Sequence, residues 1–377
     1  MLSRLGHSLS FPSRMDVQIQ LDKREAIYTN QDTVSGSLIL HTRSSVDISA
    51  VQVTLSGSAL SRLDSGRRTE SHQLFHTTQQ VFPPPSQGNL NMASFTLGHG
   101  TYVFTFSIPF PQVSECYRTG TDGNRSRGSC RNVQKKHRHT THLLRRLPPS
   151  TIRERETAGE ISYTLKAIIR TAAIINKSEI ITTRDITFYP VTDFNPPSHT
   201  LIERHSVILN PGNREKPIPT SYQIDIRLSD GACLLLGEPI PLTIYMTRIT
   251  GPGYDLILND FQSMLLETTE VRAHGFVESR LQLHVLQTVS NVRKQAHPSG
   301  TPAGSTVSLD DDLWRHHRLP HSLTPTFETC NISRTYKLQI RLGFRFGSAN
   351  ILTRVLEAEF PVYVMAACRA KNPPRAS

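Results

Sequence analysis

No stretch of this chain approaches the roughly 18 consecutive apolar residues that a membrane-spanning helix requires. The first fourteen residues, MLSRLGHSLSFPSR, lack an apolar core of the signal-peptide kind, which argues against secretion and reads as a disordered leader before Met15. Cysteine is scarce: Cys116, Cys130, Cys233, Cys330 and Cys368 are odd in number, far apart and never spaced C-x-x-C. That usage argues for reduced thiols, against a disulfide scaffold and against a zinc ribbon. The sequons at Asn124, Asn176 and Asn331 therefore carry no weight. Also missing are a G-x-S-x-G elbow, a phosphate-cradling G-x-x-x-x-G-K-[ST] loop, an H-E-x-x-H pair and a G-x-G-x-x-G turn. Catalysis has no sequence support, and no cofactor is expected.

Length and pattern are more informative. A chain of 377 residues is too long for one ordinary core and suits two domains. Before residue 200 no segment has a convincing helical period. Instead Val17, Ile19 and Leu21 alternate, as do Val34–Leu40 and Val46–Gly57, with Gly36 and Gly57 placed where a strand is entered or left. A further strand is expected near Gln73–Phe82, followed by Pro83-Pro84-Pro85, which reads as a stiff loop rather than a polyproline ligand. Short alternating strands without helices make an all-β sandwich.

The chain is organised around His142–Ala167, HLLRRLPPSTIRERETAGEISYTLKA. A basic run ending in Arg145-Arg146-Leu147 breaks at Pro148-Pro149-Ser150, because two prolines remove ladder donors and fix φ. After Gly159 alternation resumes, with Ile161, Tyr163, Leu165 and Ala167 on one face and Ser162, Thr164 and Lys166 on the other. A second alternating strand covers Glu179–Tyr189. Breakers at Pro196-Pro197 and Asn210-Pro211-Gly212 then bracket a linker, and strands recur at Tyr222–Leu228, Leu242–Met246, Leu281–Leu286, Tyr336–Phe346 and Leu352–Val364. Gln295–Thr326 reads as a long polar loop.

Leu147-Pro148-Pro149-Ser150, followed by the Gly159-Glu160-Ile161-Ser162-Tyr163 strand and preceded by Thr101–Pro109, resembles the hallmark of the arrestin N-terminal domain. Leu236-Gly237-Glu238-Pro239-Ile240-Pro241-Leu242 similarly resembles the opening of the arrestin C-terminal domain. The chain is thus identified as similar to the arrestin-related trafficking adaptors. The resemblance implies two immunoglobulin-like, arrestin-type β-sandwiches in tandem: a leader 1–14, an N-terminal domain 15–194 with a basic insertion 117–141, a linker 195–221, a C-terminal domain 222–368 and a tail 369–377. It further implies a non-enzymatic cytoplasmic adaptor, peripherally associated with the plasma membrane or endosomes. Such an adaptor binds cytosolic tails of membrane-protein cargo and couples them to an endocytic coat or a HECT-type ubiquitin ligase.

Charge locates the candidate contact. Between Tyr117 and Ile152 nine Lys or Arg face one acid, Asp122, within a chain of net charge +11. The segment 117–141 has almost no large apolar residues and is expected to be disordered. Arg145 and Arg146 are the leading candidates for acidic or phosphorylated partners, since the guanidinium fork binds such groups bidentately. Lys166 and Arg170 extend the candidate patch, with Lys135, Lys136 and Arg138 from the insertion. Acidic lipid is an alternative partner. Nucleic acid is disfavoured, because no aromatics interleave the charge for stacking. A sorting-coat subunit is a further alternative.

Two remaining clusters are weighed against metal binding. His137, His139 and His142 lie among cations that repel a metal, and Asp310-Asp311-Asp312 lacks the spacing of an EF-hand. The only Trp, Trp314, is expected to anchor that acidic loop on a domain surface. No Pro-Pro-x-Tyr motif for WW domains is present; the nearest match, Phe360-Pro361-Val362-Tyr363, falls within the last expected strand.

Overall fold

A computed structural model describes residues 15–23, 27–84, 94–114, 117–119, 145–151, 158–172, 179–191, 199–209, 219–346 and 354–366. The chain divides into two units, one formed by Met1–Leu60 with Glu70–Pro190 and the other by Ser61–Thr69 with Val191–Ser377. Both are all-β among the described residues, apart from two single turns of 3-10 helix, Asp64–Gly66 and Asp311–Leu313.

The strands up to Pro190 are β1 (Met15–Leu21), β2 (Ile27–Tyr28), β3 (Thr33–Thr42), β4 (Val46–Leu63), β5 (Arg68–Phe82), β6 (Phe95–Leu97), β7 (Gly100–Pro109), β8 (Val113–Ser114), β9 (Tyr117–Thr119), β10 (Arg145–Arg146), β11 (Gly159–Thr171) and β12 (Glu179–Phe188). One sheet runs β1-β3-β7 and a larger one β2-β12-β11-β4-β5-β9, with β6 beside β4; β10 and β8 form a separate pair. Period-two patterning explains the layers. In β3, Val34, Leu38 and Leu40 are fully buried while Thr33 and His41 are exposed, and β11 buries Ile161, Tyr163, Leu165, Ala167 and Ile169. Each fully buried Leu or Ile contributes about 1.5–3 kcal/mol relative to exposure.

Gly36 and Gly57 sit within β3 and β4 rather than at strand ends, and both permit close approach. A Cβ on Gly36 would lie 2.2 Å from the Gln20 carbonyl oxygen, and one on Gly57 would lie 2.7 Å from the Tyr163 ring.

The second unit continues with β13 (Leu201–Leu209), β14 (Thr220–Leu228), β15 (Cys233–Leu235), β16 (Leu242–Thr250), β17 (Leu256–Ala273), β18 (Phe276–Val289), β19 (Lys294–His297), β20 (Thr306–Ser308), β21 (Phe327–Glu328), β22 (Ile332–Phe346) and β23 (Arg354–Met365). One sheet runs β13-β14-β16-β20, the other β15-β23-β22-β17-β18, with β19 beside β17 and β21 beside β22. Between them Tyr222, Ile224, Ile226, Ile244 and Met246 meet Phe261, Leu265, Leu338, Ile340 and Phe360 in one buried cluster.

Three expectations change here. The stretch 195–221 contains β13, which pairs with β14 along its whole length, Leu201 opposite Leu228 to Leu209 opposite Thr220, so it is not all linker. The expected loop Gln295–Thr326 contributes β20 and much of β19 to the sheets. Trp314 is 3% exposed, stacks on Phe261 at 5.0 Å and donates from Nε1 to the Leu242 carbonyl at 2.8 Å. It is a core residue rather than a surface anchor, because an indole buries a large apolar area once its single N–H finds an acceptor.

Candidate functional site

The Leu147–Ser150 stretch explains how β10 is held. Leu147, Pro148 and Pro149 are buried. A buried proline has no N–H to satisfy but still carries a carbonyl that needs a donor. Tyr163, 1% exposed on the inner face of β11, supplies it: its hydroxyl donates to the Pro148 carbonyl at 2.6 Å. Ser150 bonds to β12 in both directions, its N–H donating to the Phe188 carbonyl at 2.8 Å while its Oγ accepts from the Phe188 N–H at 2.8 Å. Thr151 does the same to β11, donating from its N–H to the Ile161 carbonyl and accepting the Ile161 N–H on Oγ1 at 2.8 Å.

Aromatic rings lock the clamp. Tyr163 contacts Phe188, Phe110 and Phe75 at centroid separations of 5.0, 5.9 and 6.0 Å, and Phe110 lies 4.6 Å from Phe188. Such pairs add about 0.5–1.5 kcal/mol each beyond area burial. Desolvation pushes the Tyr163 hydroxyl well above its ordinary pKa, so it stays protonated and keeps donating.

The clamp begins immediately after the candidate arginines. β10 pairs antiparallel with β8, Arg145 opposite Ser114 and Arg146 opposite Val113. Arg146 is exposed, and the next residue, Leu147, is 3% exposed and anchors the strand. Among the described residues β10 pairs with β8 alone.

Lys166 and Arg170 lie elsewhere, on the outward face of β11 within the large sheet. Lys166 is half-buried opposite Thr183 and forms no ion pair among the described residues. Arg170 is exposed and bonds through Nε to Glu179 at 3.0 Å. This face is rich in hydroxyls: Ser58 Oγ lies 2.9 Å from Ser162 Oγ, and Ser49 Oγ donates to the Arg170 carbonyl at 3.3 Å. Asp185, opposite Thr164, adds a second acid six residues along β12 from Glu179. The structure therefore joins Lys166 and Arg170 on one strand face, places Arg145 and Arg146 on another sheet, and shows Arg170 already paired. Lys135, Lys136 and Arg138, the three histidines of the basic segment and most of 117–141 lie outside the described residues, as does Pro85.

The acidic triplet is answered by nearby cations. Asp310, Asp311 and Asp312 are exposed with carboxylate oxygens within 4.8 Å of one another. Asp310 bonds to Lys294, and Arg315 reaches Asp312 at 2.9 Å and Asp311 at 3.7 Å. Its Lys294 contact holds the Asp310 carboxyl below its usual range.

Sequence reading found the Leu147–Ser150 motif but not the roles of Tyr163, Ser150 and Thr151 in fixing it. The signal was the inward phase of Tyr163, fifteen residues from the carbonyl it serves. It also missed a buried carboxylate in the second unit. There Glu267 accepts from Arg334 at 2.9 Å, from Tyr336 Oη at 3.1 Å and pairs with His284 at 3.0 Å.

These elements hold β10, with exposed Arg146, directly before a buried and hydrogen-bonded Leu147–Thr151 stretch. Residues 17–125 match the family model of the arrestin (or S-antigen) N-terminal domain. No curated protein matches the chain. Over that stretch the chain is similar to the arrestin N-terminal domain, a β-sandwich, in agreement with the all-β first unit. No helix among the described residues is long and apolar enough to cross a membrane.

Proposed function

We propose that this chain is an adaptor that docks acidic or phosphorylated cytosolic tails of membrane-protein cargo on β10 and couples that cargo to endocytosis or ubiquitin-dependent trafficking. The observation that carries the reading is the exposure of Arg146 on a clamped strand within an arrestin-like unit. The guanidinium fork binds carboxylates and phosphates bidentately, which selects for acidic or phosphorylated tails. Lys166 and Arg170 serve as an outlying contact, weakened by Glu179 and Asp185. Working at cytosolic tails, the adaptor associates with plasma-membrane or endosomal surfaces through its cargo.

Recruitment of a HECT-type ligase would not use Phe360-Pro361-Val362-Tyr363. That segment lies in β23, where Val362 is opposite Tyr336 of β22 and Tyr363 opposite Cys233 of β15, so the backbone is held extended on both sides. A WW groove needs a free polyproline turn.

The test is a pull-down of acidic cargo tails by the full chain and by two charge reversals, Arg145→Glu with Arg146→Glu and Lys166→Glu with Arg170→Glu. The first pair should abolish capture and the second should reduce it modestly. Capture that survives the first pair sinks the proposed site.

A further inference from the structure

β18 is an edge strand of unusual character. Among the described residues only β17 pairs with it, and its odd-numbered face carries Val277, Leu281, Leu283 and Val285 at 59, 69, 53 and 56% exposure. A long apolar edge strand is what natural sheets ordinarily avoid with short edge strands, charge or proline. The other outer strands of the second unit follow that rule. β15 and β20 have three residues each, and β13 carries Glu203 with Arg204, the latter bound to Asp225 at 2.9 Å. On the even-numbered face, Arg68 lies over the Phe276 ring at 3.8 Å, leaving the apolar stripe uncovered.

We propose that β18 pairs antiparallel with β18 of a second copy of this chain, joining two sheets into one across a two-fold axis. Three features of the strand favour its own copy as the occupant. The regular part of the edge is bounded by the His274–Gly275 turn, with φ of 53° and 84°, and by the irregularity where Ser263 is opposite Gln287 but Met264 opposite Val285. That leaves Phe276–Val285 for pairing, and the odd-numbered stripe within it, Val277 to Val285, is centred on Leu281.

An axis at Leu281 makes the strand self-complementary. Leu281 meets its counterpart, Val277 meets Val285, and Ser279 meets Leu283, so the two stripes form one apolar band, while Glu278 on the other face meets His284. Such an isologous arrangement satisfies both copies equally. Charge agrees with it. The chain carries +11, yet the only acid and base in β18, Glu278 and Arg280, pair with each other at 2.9 Å. The edge is therefore neutral and approaches its copy without the repulsion that the rest of the chain would impose. The seam would be roughly 30 Å long with about eight to ten ladder hydrogen bonds, within the range a specific interface ordinarily carries.

The test is sedimentation of the full chain over a concentration series, beside Leu281→Lys, with thermal unfolding as a folding control. The native chain should dimerise reversibly, and Leu281→Lys, which sets two ammonium groups opposite each other, should weaken dimerisation by at least about tenfold without moving the unfolding midpoint. Register is read by oxidative cross-linking above the native background. Cysteines at 281 would lie about 5 Å apart, within disulfide reach, whereas those at 283 would be offset by roughly 13 Å. Leu281→Cys should therefore cross-link and Leu283→Cys should not. A chain monomeric throughout, a dimer indifferent to Leu281→Lys, or equal cross-linking by both cysteines would overturn the proposal.

Discussion

Removing one oxygen tests the clamp that carries β10. Tyr163→Phe keeps the ring among Phe75, Phe110 and Phe188 but deletes the donor 2.6 Å from the Pro148 carbonyl. Because Pro148 and Tyr163 are buried, water does not replace the lost donor without disturbing the packing. Leaving a buried acceptor unpaired costs about 1–3 kcal/mol. For a unit of this size each kcal/mol lowers the midpoint by about 2–4 °C, giving a fall of about 2–12 °C in scanning calorimetry. Amide exchange at Ser150 and Phe188, which exchange hydrogen bonds beside the motif, should accelerate with it. Alkali gives a second readout. Burial raises the Tyr163 pKa in the folded state, so its stabilising effect is complete below about pH 10, where the unfolded tyrosine titrates, and is lost as pH rises further. Tyr163→Phe should flatten the alkaline limb of the stability curve. A variant with an unmoved midpoint, unchanged exchange and an unchanged alkaline limb would refute the clamp.

Other outcomes follow from single contacts. Gly57→Ala would place a methyl 2.7 Å from the Tyr163 ring and 3.0 Å from Phe75, and should cost about 1–3 kcal/mol in denaturant titration. Trp314→Ala should destabilise the second unit by about 3–5 kcal/mol in the same assay, whereas a surface residue would cost almost nothing. Arg204, then Arg227, holds the Asp225 carboxyl below its ordinary value, so the stabilisation is present above about pH 4 and lost as pH falls. Asp225→Asn should cost about 1 kcal/mol at neutral pH and flatten the acid limb of the unfolding curve.

Much of the fold was legible wherever burial is one-sided. β3, β11, β12, β16 and β23 alternate in sequence because one face meets the core and the other meets solvent, and their expected positions overlap the observed strands. β17 was not legible, although it is the longest strand of the second unit. A register shift between Leu258 and Asp260 changes its phase, so Leu258 and Asn259 are both buried and the inward face passes from Leu256 and Leu258 to Phe261, Ser263 and Leu265. A period-two reading cannot follow such a phase change. β13 was hidden by the breakers on either side of it. Trp314 was misplaced because its neighbours Asp310–Asp312 and Arg315 are polar, while the carbonyl that accepts its N–H belongs to Leu242, 72 residues away.

The candidate site divides in the same way. Arg145-Arg146 before two prolines is a local pattern, whereas the pairing of β10 with β8, about thirty residues earlier, has no local signal. Arg170 looked available because its partner, Glu179, lies across a strand pair, which sequence alone does not register. The Glu267 cluster draws on residues 17, 67 and 69 positions away and has no sequence signature.

The account stands most directly on one titration. A fluorescent acidic peptide, with and without phosphoserine, is titrated with the full chain at low and high salt, beside Arg145→Glu/Arg146→Glu and Tyr163→Phe. Phosphorylation should tighten binding, salt should weaken it, the double reversal should reduce affinity by at least about a hundredfold through loss of charge-assisted hydrogen bonds, and Tyr163→Phe should weaken binding while sparing its salt dependence. Affinity that is indifferent to salt and to the reversal of Arg145 and Arg146 would contradict the central claim that β10 recognises acidic tails.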